Sequence, residues 1–257
     1  MSQPAFDLKG RVAFVTGGNG GIGLGMAAGL ADAGAAVAIS GRDAGKLEAA
    51  AADLKARGAD VMTLAGDVSD RDRVFAMADE IAGRFGRLDI LVANAGINLR
   101  KRPEEYEAHE WQSVLDTNLN GPFFCAQAVY PHMKKAGGGK IITIGSMASI
   151  FGIPKLSPYS ASKGGIVQVT RVLASAWAED NIQANCILPG WIDTALTRKA
   201  RHDIEGLHDR VVARTPAGRW GDPTDFAGIA VFLASPASDF VTGTAIPVDG
   251  GYTVQAG

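Results

Sequence analysis

The sequence is poor in the features that mark secreted, membrane-spanning and disulfide-bonded proteins. Only two of its 257 residues are cysteine, Cys125 and Cys186, and they stand in apolar surroundings without metal-ligand spacing. Such a pair predicts free, buried thiols in a reducing compartment and no metal site. No stretch approaches the roughly 18 uninterrupted apolar residues of a membrane-spanning helix, so we expect no membrane association.

The sequence also has no large excess of positive or negative charge. Lys and Arg number 25 and Asp and Glu 27, which leaves a formal charge of −2. This balance gives no basic field for nucleic acid or an anionic membrane, and it favours a small-molecule partner. The first ten residues include Asp7 and Lys9 and lack an apolar stretch with a cleavage site, so we expect a cytoplasmic protein.

Glycine, in contrast, is abundant. It supplies 33 of the 257 residues, against about 7 % in average usage. The glycines cluster without a triplet repeat, which excludes collagen. With 47 % apolar and 20 % charged residues the composition is that of a globular protein, and α/β chains of this length routinely fold as one domain, here 1–257.

Short apolar runs alternate along the chain with segments of helical periodicity, which predicts a parallel sheet covered on both faces. The expected fold is therefore α/β: a single-domain Rossmann-type doubly wound parallel sheet of about seven strands with helices on both faces. The predicted strands are 11–16, 35–40, 60–66, 88–93, 140–144, 182–188 and 244–248. The predicted helices run from the first glycine cluster to Gly34, then over 43–57, 70–85, 104–136 with an interruption near Pro122, 157–178, 194–213 and 223–234.

Open α/β sheets bind ligands at the carboxyl ends of their strands. The first strand is followed by Thr16-Gly17-Gly18-Asn19-Gly20-Gly21-Ile22-Gly23. A helix that starts here points free N–H groups and its positive dipole end at a pyrophosphate, and glycines let the backbone approach closely. The spacing fits both G-x-G-x-x-G and G-x-x-x-G-x-G, so it predicts a dinucleotide turn; a plain tight turn is the alternative.

The end of the second strand, Ser40-Gly41-Arg42-Asp43, bears on the choice of cofactor. An acid here would bind the ribose hydroxyls of NAD, whereas Arg suits a 2′-phosphate. Because the positions hold Gly41 and Arg42, NADP(H) is favoured and NAD(H) is the alternative. In the other interpretation, Arg42 is a solvated turn residue and Asp43 caps the next helix. After the third strand, Asp67 is placed to accept a hydrogen bond from the adenine amino group; a helix cap or a packing turn is the alternative.

Ser146, Tyr159 and Lys163 form the most specific constellation. Tyr159 and Lys163 are four residues apart, so they share one helix face. A free phenol has a pKa of about 10. A cation beside it lowers that pKa, which allows Tyr159 to exchange a proton with a substrate oxygen. Ser146, just past the fifth strand, is placed to hold that oxygen by a hydrogen bond.

Together these segments resemble the short-chain dehydrogenase/reductase family over essentially the whole chain. The matching residues are Thr16-Gly17-x-x-x-Gly21-Ile22-Gly23, Asn94-Ala95-Gly96, Asn118, Ser146, Tyr159-x-x-x-Lys163 and Pro189-Gly190. The resemblance implies that Tyr159 is the general acid/base, that Lys163 lowers its pKa and binds the nicotinamide ribose, and that Ser146 orients the carbonyl. It also implies that the Asn118 backbone holds a relay water. Pro122 has no N–H to bond the Asn118 carbonyl, which fits that role, although an ordinary proline kink is the alternative.

The resemblance further implies a set of cofactor contacts, in which the Ile192 backbone and Thr194 hold the carboxamide. Position 20 and its neighbours lack the basic residue that many NADP-binding members carry. The implied contacts are Gly17, Asn19, Gly21, Ile22, Gly23, Arg42, Asp67, Val68, Asn94, Ala95, Gly96, Tyr159, Lys163, Pro189, Gly190, Ile192 and Thr194.

The family places a substrate lid at about 191–218, and basic residues of the lid and of the loop after the fourth strand suit a carboxylated substrate. Arg100, Arg198 and Arg201 are the candidates; a solvated basic face is the alternative. Three stretches, Gly96-Ile97-x-x-Arg100-x-x-Pro103, Gly145-Ser146-Met147 and 214–221, resemble the gluconate 5-dehydrogenase and 2-deoxy-D-gluconate 3-dehydrogenase branch. This implies a homotetramer that oxidises or reduces a sugar acid. A 3-oxoacyl-carrier-protein reductase and a nucleotide-binding sensor are the alternatives.

Overall fold

A single parallel sheet organises the structure, a computed structural model that describes residues 5–255. The strand order is β3-β2-β1-β4-β5-β6-β7, so the direction of winding reverses between β1 and β4. All six neighbouring pairs are parallel. The strands are β1 Val12–Thr16, β2 Ala36–Gly41, β3 Val61–Ala65, β4 Ile90–Ala93, β5 Gly139–Ile144, β6 Ile182–Pro189 and β7 Ala245–Val248.

Helices connect the strands and cover both faces of the sheet. Asp43 and Asp70 cap α2 and α3, each accepting a 3.0 Å bond from a backbone N–H of the first turn. The α-helices of residues 5–255 are α1 Gly21–Asp32, α2 Ala44–Ala56, α3 Arg71–Phe85, α4 Ala108–Leu115, α5 Gly121–Lys135, α6 Ser157–Ala176, α7 Ala195–Asp203, α8 Leu207–Arg214 and α9 Ala227–Ala234.

Alternate residues of each strand enter two different cores. Along β1, Ala13 and Val15 pack with α1, α2 and α9, whereas Val12 and Phe14 pack with α3, α5 and α6. Every residue of β1 is buried, which is why the strand reads as an uninterrupted apolar run. The predicted single-domain, doubly wound sheet with helices on both faces is confirmed.

Two helical predictions differ in detail from the structure. The polar stretch 194–213 is two helices, because Gly206 adopts a φ of 64° and breaks the chain direction between α7 and α8. The interruption predicted near Pro122 is a π-helical turn over Asp116–Asn120, and Pro122 follows it as the second residue of α5, where it has no N–H to bond the Asn118 carbonyl.

Cys125 and Cys186 are free and buried, as expected. No helix in the described part of the chain is both long and apolar enough to cross a membrane.

Candidate active site

A cleft of about 430 Å³ lies over the carboxyl ends of β1, β2, β4 and β5, around the point where the winding reverses. This is where an open α/β sheet binds its ligand. Thirteen of the predicted cofactor residues line it: Gly17, Asn19, Gly21, Ile22, Arg42, Asp67, Val68, Asn94, Ala95, Gly96, Tyr159, Lys163 and Thr194.

The glycine turn is braced from behind by Asn94. Its side-chain amide donates to the carbonyls of Thr16 (3.0 Å) and Gly17 (3.2 Å), and its backbone N–H donates to the Thr16 hydroxyl (3.0 Å). A Cβ at Gly23 would stand 2.4 Å from both the Asn94 amide nitrogen and the Gly17 carbonyl. Gly23 is thus needed for packing behind the turn, whereas Gly17 and Gly21, both with positive φ, form the face of the cleft.

The end of β2 carries the charge that a 2′-phosphate would meet. Arg42 lines the cleft and pairs with Asp67 at 3.6 Å. Burial alone would raise the pKa of Asp67, but hydrogen bonds from Ser69 and the charge of Arg42 outweigh it and hold that pKa below its ordinary value. Asp43 caps α2, as the second interpretation expected.

The side chain of Asn19 occupies the space that a side chain at position 41 would need. A Cβ at Gly41 would lie 2.6 Å from the amide nitrogen of Asn19. Asn19 therefore occupies the position that the Cβ of an acidic residue would take in an NAD-selective site. Its amide offers a hydrogen-bond donor where that residue would offer a carboxylate. The cradle of backbone, amide donor and guanidinium fits a phosphorylated dinucleotide.

Ser146, Tyr159 and Lys163 converge at the β5 end of this cleft. Ser146 is 8 % exposed, and its hydroxyl accepts the N–H of Ala148 at 3.1 Å. The Lys163 ammonium lies 5.6 Å from the centre of the Tyr159 ring, so the two share one face of α6 as predicted. Ser149 joins the serine loop to the helix, because its hydroxyl accepts from the Ser146 N–H and donates to the Lys163 carbonyl.

The electrostatics of Tyr159 differ from the sequence prediction. Burial raises the pKa of Tyr159; a hydrogen bond with Ser146 and the charge of Arg100 oppose this without reversing it. The role of Lys163 in lowering this pKa stays a prediction. The Lys163 ammonium donates a 2.7 Å bond to the Ile144 carbonyl. The cation that acts on the phenol is Arg100, which the sequence had assigned to the substrate.

Lys163 itself is 5 % exposed, and burial lowers its pKa to about 8. This pKa is close to neutral pH, so the Lys163 amine can gain or lose its proton there.

Asn118 is completely buried, and its side chain is fully occupied. The amide oxygen accepts from the Ile97 N–H at 2.8 Å, and the amide nitrogen donates to the Ile97 carbonyl at 2.9 Å and to Ser162 at 3.3 Å. The side chain therefore fixes the loop after β4 against α6. The π-helical turn that contains Asn118 ends at Gly121, whose N–H bonds to Asp116.

Four predicted cofactor residues lie outside the lining of the cleft. Pro189 ends β6, and the adjacent Gly190 is packed so closely that a Cβ would lie 2.8 Å from Asp249. Ile192 is buried, and its carbonyl accepts from the Thr197 hydroxyl. With Gly23, these residues shape the walls rather than the surface of the cleft.

The predicted lid contains α7 and α8, and its two candidate substrate arginines are engaged internally. Arg198 and Arg201 both bind Asp193, at 2.9 Å and 3.3 Å. The Arg201 guanidinium also stacks 3.8 Å from the centre of the Trp220 ring. These contacts hold α7 against the loop that follows β6, so the structure places neither arginine in the cleft.

Sequence reasoning missed a dozen residues that also line the cleft. Six of them lie within two positions of the carboxyl end of a strand, where a search of every strand end would have found them; the other six lie farther along the loops and helices. The full set is Gly20, Ser40, Gly41, Asp43, Lys46, Gly66, Ile97, Thr117, Ile144, Gly145, Ala195 and Leu196.

Comparison with known proteins now identifies the family. The family model described as enoyl-(acyl carrier protein) reductase matches residues 17–253. The chain belongs to the short-chain dehydrogenase/reductase family. It is 42 % identical to gluconate 5-dehydrogenase of Gluconobacter oxydans over 256 residues, which are 99 % of this chain and 100 % of the relative. The same figures hold for 2-dehydro-3-deoxy-D-gluconate 5-dehydrogenase of Escherichia coli.

A solved structure of this short-chain dehydrogenase/reductase group agrees closely with the fold. Gluconate 5-dehydrogenase of Burkholderia cenocepacia, crystallised with NADP and tartrate, superimposes with a TM-score of 0.93. The two chains are 42 % identical, and the match covers 98 % of each.

Proposed function

We propose that this protein is an NADP(H)-dependent oxidoreductase that interconverts a secondary alcohol and a ketone of a sugar acid. The single observation that carries the proposal is the convergence of Ser146, Tyr159 and Lys163 at the end of the dinucleotide cleft. A protein that only senses nucleotides has no need of a buried phenol held between a serine and a cation.

When bound, the nicotinamide supplies or accepts the hydride. The protein supplies the proton and the orientation. Tyr159, whose raised pKa keeps it protonated at neutral pH, donates its proton to the substrate oxygen during ketone reduction and takes it back during alcohol oxidation. Ser146 binds the same oxygen, and Lys163 binds the ribose and returns the proton to the phenol. Asn118 keeps the loop at Ile97 in place and offers its backbone to a relay water.

The cofactor preference rests on the end of β2. Arg42 points its permanent charge into the cleft, and Asn19 closes the position that an acid would need. The relative crystallised with NADP supports the same preference. The remaining contacts of the dinucleotide are proposed to be the thirteen lining residues given above, with Gly23, Pro189, Gly190 and Ile192 supporting them.

The substrate class rests on the relatives, two of which are named for gluconate or a 2-dehydro-3-deoxy-gluconate. Arg100 is proposed to face the reacting end of the substrate, because its charge acts on Tyr159. The second candidate is a 3-oxoacyl-carrier-protein reductase; the matching family model is described by another reductase of acyl-carrier-protein substrates, enoyl-(acyl carrier protein) reductase. Turnover of 5-keto-D-gluconate against acetoacetyl thioester, with NADPH and NADH in parallel, separates the two.

We further propose a cytoplasmic homotetramer in which residues 191–218 cover the substrate. Large apolar side chains are exposed on α4 (Trp111), α5 (Phe123), α6 (Val172) and before β7 (Phe240), which supports assembly through these elements. Light scattering after size exclusion tests the assembly: a single species of four chains is expected, and a monomer would contradict it.

The mechanism is tested by Tyr159→Phe, which removes one oxygen and keeps the ring. Turnover should be abolished, while NADPH binding, followed by the fluorescence of the nicotinamide, should stay within about twofold of the unmodified protein. Retained turnover would show that another group carries the proton.

A further inference from the structure

Most basic side chains around the lid and the loop after β4 already have an anionic partner. This matters because a cation whose N–H groups are bonded to a carboxylate has fewer donors free for a substrate. The pairs are Lys101–Glu110, Arg102–Glu104, Arg198–Asp193, Lys199–Asp203, Arg201–Asp193 and Arg219–Asp225.

Arg214, the last residue of α8, is different. Its guanidinium makes no hydrogen bond and no ion pair to any of residues 5–255, and its Nε is buried without a partner. Instead the guanidinium carbon lies 4.6 Å from the centre of the Tyr252 ring and 5.6 Å from that of Phe151. Aromatic faces stabilise the charge but leave the N–H donors of the guanidinium unsatisfied.

The position of Arg214 is on the substrate side of the molecule. Phe151 belongs to the turn that begins at Ser146, since its N–H bonds to the Met147 carbonyl at 3.0 Å. Tyr252 follows the carboxyl end of β7, in a segment that is joined to the end of α8 by the 3.0 Å bond from the Ala217 N–H to the Gly250 carbonyl.

The strand order explains why the substrate is expected to bind on this side of the sheet. The dinucleotide cleft extends over the ends of β2, β1, β4 and β5, and β6 and β7 continue the same edge beyond the catalytic serine. Arg214 therefore lies at the active-site edge of the sheet, past Ser146 and away from the adenosine half of the cleft.

We propose that Arg214 is a specificity-determining residue that binds the carboxylate of the substrate. Contacts with two aromatic rings restrict the movement of the guanidinium, and its fork of N–H groups matches the two oxygens of a carboxylate. The terminal N–H groups of Arg214 also bond to none of residues 5–255, so a carboxylate that satisfies them binds more tightly than a ligand that does not. Arg100 would then act at the reacting carbonyl and Arg214 at the acid end of the same molecule.

This inference rests on the proposed function, because it assumes a sugar-acid substrate. Its test compares two ketones that differ only in the charged group: 5-keto-D-gluconate, and L-sorbose, in which CH2OH replaces the carboxylate. In Arg214→Gln, kcat/KM for 5-keto-D-gluconate should fall about tenfold to a hundredfold, mainly through KM. The activity with L-sorbose should stay within about twofold, and so should the Kd of NADPH.

The matched control is Arg210→Gln, one turn earlier on the exposed side of α8, which should leave both substrates unchanged. Arg214→Lys should recover only part of the loss, since an ammonium cannot form the two-point contact. An equal fall with both substrates, together with a lowered Tm, would mean that Arg214 only holds the lid in place. No fall with either substrate would also overturn the proposal.

Binding without turnover keeps the inference separate from the proposed activity. Tartrate, a carboxylate that is not reduced, should raise the Tm of the NADPH-loaded protein and of Arg210→Gln but not that of Arg214→Gln. If the unmodified protein binds tartrate but does not reduce 5-keto-D-gluconate, the proposed substrate is wrong and the carboxylate site stands. If tartrate stabilises all three proteins equally, or none of them, the site is wrong.

Discussion

Asn94 offers a quantitative test of how the dinucleotide turn is held. The sequence comparison assigned it to cofactor contact, but its amide donates to the carbonyls of Thr16 and Gly17 behind the turn. Asn94→Ala removes both donors. A buried group left without a partner costs about 1–3 kcal/mol. Because water from the open cleft can reach part of this site, we expect about 2 kcal/mol in all.

For a domain of this size each kcal/mol corresponds to about 2–4 °C in Tm, so Asn94→Ala should melt about 4–8 °C lower. The affinity for NADPH should fall as well, because the turn must be ordered again on binding. Differential scanning fluorimetry and a titration of NADPH fluorescence measure the two effects.

Asn94→Asp provides a sharper test, since it keeps the shape of the side chain and reverses its polarity. A carboxylate would face two carbonyl oxygens, so Asp should be worse than Ala in both measurements. The matched control is Asn120→Ala, which removes a 2.8 Å bond to Asp116 outside the cleft; it should change stability by about 0.5 kcal/mol or less. If the Tm of Asn94→Ala stays within about a degree of that of the unmodified protein, or if Asn94→Asp binds NADPH normally, the Asn94 side chain does not hold the turn in place.

Two further predictions concern the phenol and the cofactor. Arg100→Met should raise the pKa of Tyr159 further, because the charge of Arg100 lowers it. Alcohol oxidation needs the phenolate, so the acidic limb of its pH profile should move to higher pH. A limb that does not move would show that Arg100 does not act on Tyr159. Gly41→Asp should weaken NADPH binding by about tenfold or more through like-charge repulsion. Adding Asn19→Ala, which removes the 2.6 Å overlap, should improve NADH binding over the single variant, and equal NADH affinity in both would contradict the role given to Asn19.

Several features of the site could be predicted because they depend on local spacing. Tyr159 and Lys163 share a face of α6 through the four-residue period of a helix, and the glycines of the turn stand at the end of an apolar strand. The interruption before Pro122 was also visible, since proline lacks the N–H that a regular helix would bond to the carbonyl four residues earlier, although Pro131 is accommodated inside α5. Each of these inferences required only neighbours along the chain.

The pairing of side chains between distant segments could not be predicted. Arg198 and Arg201 looked available in the sequence, but Asp193 lies within reach of both. The Lys163 ammonium bonds to the Ile144 carbonyl at the end of β5, a partner that the sequence does not indicate. Whether a side chain is paired depends on what folds next to it, and linear spacing does not contain that information.

The sequence by itself determined the α/β class, the dinucleotide turn and the catalytic constellation, because strand and helix periods and short motifs encode them directly. Only the tertiary structure decided which charges remain available. Burial raised the pKa of Tyr159, and Asn19 occupied the position beside Gly41. The aromatic rings of Phe151 and Tyr252 lay beside Arg214, which has no anionic partner among residues 5–255. Desolvation and pairing depend on distances across the folded chain, so they appear only once the carboxyl ends of the strands have been brought to one edge.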